Sequence, residues 1–165
     1  MCANDLNELF EDSLKYVYYA EQQFLDATEE LAETTTDDQI AEAFAEHHEE
    51  TQTQIERLEE VFSEIDVAPE GETDEAVDGM VENHEHFVSQ DPDSHVLDRY
   101  NITAGQMSEH YEIAAYGNLI PLADQLGIDV ADTLEANLRE EQDALDKLSE
   151  IGEEFDYGQI EYTDG

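Results

Sequence analysis

Apolar side chains recur along this chain in alternating steps of three and four, the spacing that keeps residues on one face of an α-helix. Leu6, Phe10, Leu14, Val17, Phe24, Thr28 and Leu31 keep that rhythm once Glu21 is counted as the missing step, so a first helix is expected from about Asp5 to Glu33. Thr36 to Gln39 reads as a capping box, and Ile40, Phe44, Ile55, Leu58, Phe62 and Ile65 mark a second helix ending before Pro69. The stretch from Asp66 to Asp93 holds Pro69, Gly71, Gly79 and Pro92, with a short helix expected from Asp74 to Val88. Asp91 and Pro92 form an N-cap and first-turn pair for a third long helix, which passes through Tyr100, Ala104, Met107 and Tyr111 toward Leu126. Pro121 should kink it or break its last turns. Gly127 closes it, Asp129 can cap a fourth, and Val130, Leu134, Leu138, Leu145 and Leu148 form the stripe of that last helix. Residues 1–152 therefore read as one helical domain and 153–165 as a loose acidic tail.

Two helical hairpins joined by one long connection predict an all-α, ferritin-like four-helix bundle with one long crossover containing a short helix. An up-and-down bundle would have a shorter middle link. Neither strand-like alternation nor an internal repeat competes with this reading.

Charge changes the picture next. Acidic residues number 46 against 5 Lys plus Arg, a formal charge of −41 in a chain of 165 residues. Such charge alone suggests disorder, yet 39% of residues are hydrophobic and fall at helical spacing, so the chain should fold. A surface this acidic repels itself in dilute salt, and concentrated salt, with a Debye length of about 3 Å near 1 M, screens it. A halophilic protein is the reading that follows. An acidic mimic that captures basic partners would concentrate acid on one surface, whereas here it runs through every segment. Direct nucleic-acid binding needs clustered cations, and Lys15, Arg57, Arg99, Arg139 and Lys147 are scattered. The charge also opposes anionic membranes, and no apolar run approaches the roughly 20 residues of a span. Met1 to Asp12 lacks the basic and apolar regions of a signal peptide, so a cytoplasmic location is expected. Cys2 is the single cysteine, which rules out an internal disulfide.

In so acidic a chain only the position of a carboxylate is informative. A Glu on an apolar stripe loses hydration and must be protonated, paired or bound to a cation. Glu21 falls in the first stripe and Glu141 in the last. In the third long helix, Glu109 and Glu112 are the only acids from Ile102 to Ala123 and lie three apart on one face. His47 and Glu50 have the same spacing in the second helix, and Gln54 continues that edge. A surface Glu at a stripe edge accounts for any one of these positions, but less readily for an inward acid in each of four helices. Carboxylates with nitrogen donors in a bundle core suit iron or manganese. The usual arrangement has Glu on two helices and Glu-x-x-His on two. Here Thr53 and Ala144 follow Glu50 and Glu141, His47 precedes Glu50, and His110 faces away from Glu112, so one or two ions are both open. Tyr111 and Tyr116 are placed to bond the carboxylates or join redox chemistry, although wet bundle tyrosines are commoner. His84 and His86, on different faces of the crossover helix, are expected to be solvated. No phosphate loop, cysteine zinc spacing or nucleophile elbow occurs.

Tyr18 to Gln22 (Tyr-Tyr-Ala-Glu-Gln), His47 to Thr51 (His-His-Glu-Glu-Thr), Glu109 to Gly117 (Glu-His-Tyr-Glu-Ile-Ala-Ala-Tyr-Gly) and Arg139 to Leu148 resemble the YciE/YciF-like stress-protein family. The resemblance spans Leu6 to about Leu148. It implies a dimeric ferritin-like domain with a di-iron centre and a stress-linked role, without an established activity. Glu21, Glu50, Glu112 and Glu141 match the family's expected carboxylates, accompanied by His47, Glu109 and His110. Leu145 stands where the family commonly has an acid. Two functional readings stand. The first is a metal-binding protein holding one or two iron or manganese ions, with oxidoreductase chemistry on oxygen or peroxide. The alternative is a non-enzymatic homodimer that binds a protein partner and keeps a vestigial site.

Overall fold

Asp5 opens the first helix by accepting hydrogen bonds from the N–H groups of Asn7 and Glu8, at 2.9 and 3.0 Å. With no Gly or Pro inside it, α1 runs Leu6–Thr34. In the computed structural model, which describes residues 4–160, α2 (Asp38–Glu64), α3 (Glu75–Val88), α4 (Ser94–Leu126), α5 (Ala131–Glu154) and a 3-10 turn (Tyr157–Gln159) follow. No strand occurs among the described residues. Cys2 and residues 161–165 lie outside them.

Helix α1 packs on α2 and α4, and α5 packs on the same two helices. Asp98, early in α4, meets Thr36 just after α1, whereas Tyr116, late in α4, meets Glu21 of α1; these two helices are antiparallel. The pairs Arg57–Asn137 and Glu46–Lys147 make α2 and α5 antiparallel as well. Helices α2 and α4 therefore run in the same direction, and residues 65–93 must travel the length of the bundle between them. Helix α3 lies on that path and packs across α1 and α4. This is the expected ferritin-like bundle with its crossover helix.

The core is split. Phe10, Leu14, Val17, Leu58, Phe62, Leu119 and Leu134 fill one end, and Leu31, Ile40, Phe44, Ile102, Leu148 and Ile151 fill the other. Burying each such side chain contributes about 1.5–3 kcal/mol. Between the two lies a layer of buried Glu21, His47, Thr51, Gln54, Glu109, Glu112, Asn137 and Glu141. At Gly105 an added Cβ would sit 2.8 Å from side-chain atoms of Phe44 and Leu148, so the glycine lets α4 close on both.

Several local expectations need correction. Asp37 caps α2, because the Thr36 hydroxyl and N–H both bond Asp98. Asp93 caps α4, whereas Asp91 takes a left-handed backbone at φ 54° in the preceding turn. Asp129 does not cap α5: Val130 holds that position, with no side-chain cap. Helix α4 runs unbroken through Pro121 until Gly127, at φ 69°, closes it. Pro121 and Gly117, whose carbonyl loses its helical donor to the proline, are both exposed, which leaves that group open to water. Leu6 is 44% exposed, outside the core stripe. Met107 is 52% exposed, and Tyr100, Ala104 and Tyr111 are only half-buried. They mark the side of α4 that α3 partly covers, where Phe87 stacks on Tyr100 at 4.0 Å. His84 is not solvated: its Nε2 lies 2.8 Å from Asn101 Oδ1, and the Asn101 amide donates to Thr35 Oγ1 at 2.9 Å. His86 is exposed. Helix α5 continues to Glu154, Phe155 packs against the Leu31 end of the core, and Arg99 Nε donates to the Tyr157 hydroxyl at 2.8 Å.

Asp98 accepts from Thr36 N (2.8 Å), Thr36 Oγ1 (2.6 Å) and Asp37 N (3.1 Å) while itself 1% exposed. Removing it strands those donors at the α1–α2 turn. Asp98→Ala should lower stability by about 2 kcal/mol, read as a lower urea midpoint in molar potassium chloride, and an unchanged midpoint would refute the role.

Candidate metal centre

Each long helix delivers its part of the polar layer through the same geometric rule, the 3.6-residue repeat. On α1, Glu21 occupies the turn between Val17 and Phe24 and is fully buried. On α2 the inward positions are His47, Thr51, Gln54 and Leu58, a sequence of four-, three- and four-residue steps. Glu50 falls off that face and its side chain is 47% exposed. Helix α4 presents Glu109 and Glu112, each 1% exposed, and α5 presents Glu141, fully buried. His110 points outward and is exposed. The expectation of one inward acid per helix thus changes at α2, which supplies a histidine.

His47, Glu109, Glu112 and Glu141 converge, each offering a ligand atom within 4.8 Å of the others. His47 Nε2 lies 3.3 Å from Glu109 Oε1 and 3.7 Å from Glu141 Oε2. Its Nδ1 is 3.6 Å from Glu50 Oε2, beyond hydrogen-bonding distance. Glu21 approaches the same cluster beside Glu112. One of its oxygens, Oε1, accepts a short hydrogen bond from the Tyr116 hydroxyl. Tyr116 is fully buried, which corrects the expectation of a wet tyrosine there. Tyr111 instead donates to Asp74 at 2.5 Å, away from the cluster.

A polar chain fixes the direction of the Tyr116 bond. Arg57 Nη1, which can only donate, bonds Asn137 Oδ1 at 2.9 Å, so the Asn137 amide nitrogen faces Tyr116 Oη at 3.0 Å and the Gln54 carbonyl at 3.3 Å. Accepting from Asn137, the phenol gives its proton to Glu21. Neither Asn137 nor Arg57 was apparent as part of the site from the pattern of apolar residues. The available signal was Asn137 lying four residues before Glu141 on one helical face.

Electrostatically the layer is unbalanced. Nine buried side-chain nitrogen and oxygen atoms, on Glu21, His47, Gln54, Glu109, Glu112 and Glu141, have no hydrogen-bond partner. No Lys or Arg reaches these carboxylates: Lys15, Arg57, Arg139 and Lys147 pair with Glu11, Glu140, Glu135 and Glu46, and Arg99 bonds Thr103 and Tyr157. Burial, reinforced by the charge of Glu141, pushes the Glu21 and Glu112 carboxyls well above the usual carboxylate range. Burial raises Glu109 likewise, with further upward contributions from its contact with Glu141 and from that residue's charge. For His47, burial alone would lower the pKa, but Glu50 and the charge of Glu141 together raise it. Tyr116 stays a neutral donor because burial and the Glu21 charge drive its pKa far up. A divalent cation would draw together His47, Glu109, Glu112 and Glu141, since carboxylate oxygens and an imidazole nitrogen are the donors iron and manganese take. The residues present fit such an ion.

A crossover-linked helical bundle whose polar middle layer is built from glutamates and a histidine defines a ferritin-like protein with a site able to hold metal. Residues 5–156 match the family model described as a domain of unknown function, DUF892, and the chain belongs to that family. It is 36% identical over 148 residues to Protein YciF of Escherichia coli K12, covering 88% of this chain and 89% of that one. Among solved structures, YcfI from Rhodopseudomonas palustris matches with a TM-score of 0.85 and 37% identity over 90% of this chain and 98% of the other. The E. coli stress protein YciF matches with a TM-score of 0.85 and 33% identity over 91% and 96%. No helix among the described residues is long and apolar enough to cross a membrane.

The raised pKa values carry a sign. A carboxyl whose folded pKa exceeds its unfolded value stabilises the fold below the unfolded pKa, and that contribution is lost as pH rises through the folded one. The raised His47 acts in the same direction. Metal-stripped protein in molar salt should therefore melt at progressively lower temperature as pH rises above the ordinary carboxylate range, about pH 4–5. Glu112→Gln should flatten that slope, and an equal slope in both proteins would count against buried protonated carboxyls.

Proposed function

We propose that this protein binds iron, or alternatively manganese, in the polar layer of its bundle and serves a stress-related role. The observation that carries the reading is the set of buried unpartnered donors around His47, Glu109, Glu112 and Glu141, in a chain whose few cations are engaged elsewhere. Those four residues suffice for one ion. Glu21 Oε2 and the Gln54 side chain, also unpartnered, offer donors for a second. Bound there, either metal supplies redox capacity toward a small oxidant such as oxygen or peroxide. The chain's own contribution is positional. Tyr116 holds Glu21 by its Oε1, and the apolar clusters on either side limit the access of water. The stress-related role rests on the relationship to the E. coli stress protein YciF.

Protein purified without oxygen and supplied with iron or manganese should retain one to two equivalents by elemental analysis. At about 100-fold excess over Kd the bound ion should add about 2.7 kcal/mol of stability, and Glu109→Gln with Glu141→Gln should abolish the rise in melting temperature. Retention below about one-tenth of an equivalent, with no thermal shift, sinks the reading. That result would favour a second one, a non-enzymatic homodimer binding a protein partner. In it, Glu109 and Glu141 share a proton, as do Glu21 and Glu112; both pairs lie close enough for this. Under that reading Glu21→Gln and Glu112→Gln preserve or raise stability.

A salt-adapted cytoplasm is proposed as the setting, on the formal charge of −41. Transfer from molar potassium chloride to dilute buffer should reduce helicity in circular dichroism as screening is lost. Equal spectra in the two solutions would refute salt adaptation.

A further inference from the structure

The position three residues after Glu141, where a Glu-x-x-His motif would place its imidazole, is Ala144. The small side chain leaves a cavity of about 90 Å³ between α2 and α5, lined by His47 and Glu109 within and by Glu46, Glu50, Asp143 and Lys147 outside. That is room for about three waters. The one Lys or Arg in its lining, Lys147, is ion-paired with Glu46, so its charge is largely spent at the rim. Outside, a second depression that shares Glu46 and Glu50 adds Glu49, Glu140 and Arg57, the last two ion-paired with each other at 2.7 Å. His47 is 5% exposed, lines the inner end, and keeps Nδ1 without a hydrogen-bond partner. Carboxylates thus continue from the open surface to a buried, unsatisfied donor.

We propose that this gap beside Ala144 is the port through which a divalent cation reaches the buried layer, with Glu50 and Asp143 as the first carboxylates it meets. The inference rests on the metal reading above and adds the route. Glu50, off the inward face of α2 yet 3.6 Å from His47, has the placement of a residue that hands an ion inward. A rim with an excess of carboxylates over its two ion-paired cations, Lys147 and Arg57, concentrates counter-ions beside low-dielectric walls and speeds their capture. Tyr116 closes part of the α1 side by its bond to Glu21, and the two apolar clusters close the ends. A larger pocket of about 220 Å³ between α1, α3 and α4 also carries acids, Asp26, Glu30 and Glu85, but none of the four converging residues lines it, whereas His47 and Glu109 line the gap beside Ala144.

Two variants outside the ligand cluster test the port. Ala144→Leu fills the gap, and Asp143→Lys reverses charge at its rim. Glu29→Lys, the same reversal at an exposed site on α1, controls for net charge. Uptake of Co²⁺ alone is followed by its visible absorption after rapid mixing, and its release by transfer to a chelator. Ala144→Leu should slow uptake and release by one common factor, leaving affinity unchanged, because a port lies on the path and not in either end state. Asp143→Lys should slow uptake roughly tenfold, and Glu29→Lys should not. If Ala144→Leu fails to fold, Asp143→Lys against Glu29→Lys still decides. Wild-type uptake matched by both Ala144→Leu and Asp143→Lys, or equal slowing by Asp143→Lys and Glu29→Lys, overturns the port alone. Failure of the wild-type protein to take up Co²⁺ overturns the metal reading and the port with it.

Discussion

Four glutamates and a histidine share the middle of this bundle with no Lys or Arg among them, and most of the structure is arranged around that fact. An unpaired buried carboxylate costs several kcal/mol, and mutual repulsion adds to it. The fold tolerates the layer because packed apolar side chains lie at both ends of it, so the cost is borne by a bundle already held at two places. Protons or a metal ion must complete it. Which one is present at a given pH decides both stability and chemistry, since a carboxyl that keeps its proton cannot also bind a cation.

The same layer explains why the surrounding hydrogen bonds run as they do. Arg57 reaches toward the layer from α2, and it stops at Asn137, one residue short of the carboxylates. Its effect arrives as orientation: Asn137 is turned, Tyr116 is turned, and one oxygen of Glu21 is fixed as an acceptor. An arginine placed directly among the glutamates would have neutralised them and left nothing for a metal. Farther up the bundle, Asp98 shows the opposite solution, a buried carboxylate fully used by three donors at the α1–α2 turn. The contrast is between an acid satisfied within the fold and acids that the fold leaves without partners.

The family relationship fits this division. The chain matches DUF892 over 5–156, so the whole helical unit is shared with YciF, while the acidic surface is a feature of composition that the bundle's interior does not require. Surface carboxylates remain hydrated and can be numerous; the interior ones must be placed. Their placement is therefore the informative part of a sequence this acidic.

Sequence periodicity was sufficient for the helices, the single long crossover and the inward direction of Glu21 and Glu141, because a 3.6-residue repeat assigns a face without knowledge of any neighbour, whereas Glu109 and Glu112 stood out only as the sole acids from Ile102 to Ala123. The charge excess was equally plain in composition. What periodicity could not assign was the role of residues whose partners lie on other helices. Glu50 sits at a stripe edge, and only the closure of α2 against α5 leaves it at the surface while His47 turns inward. In α4 the apolar residues Tyr100, Ala104 and Met107 suggested the wrong core face, because α3 partly covers that side while the true inner face carries polar groups. Asp98, Tyr116 and Asn137 likewise gained their functions from hydrogen-bond partners 62, 95 and 21 residues away in sequence. A repeat along one helix fixes direction; only the packing of helices together determines what each side chain meets, and so which carboxylates are satisfied and which are left unpartnered.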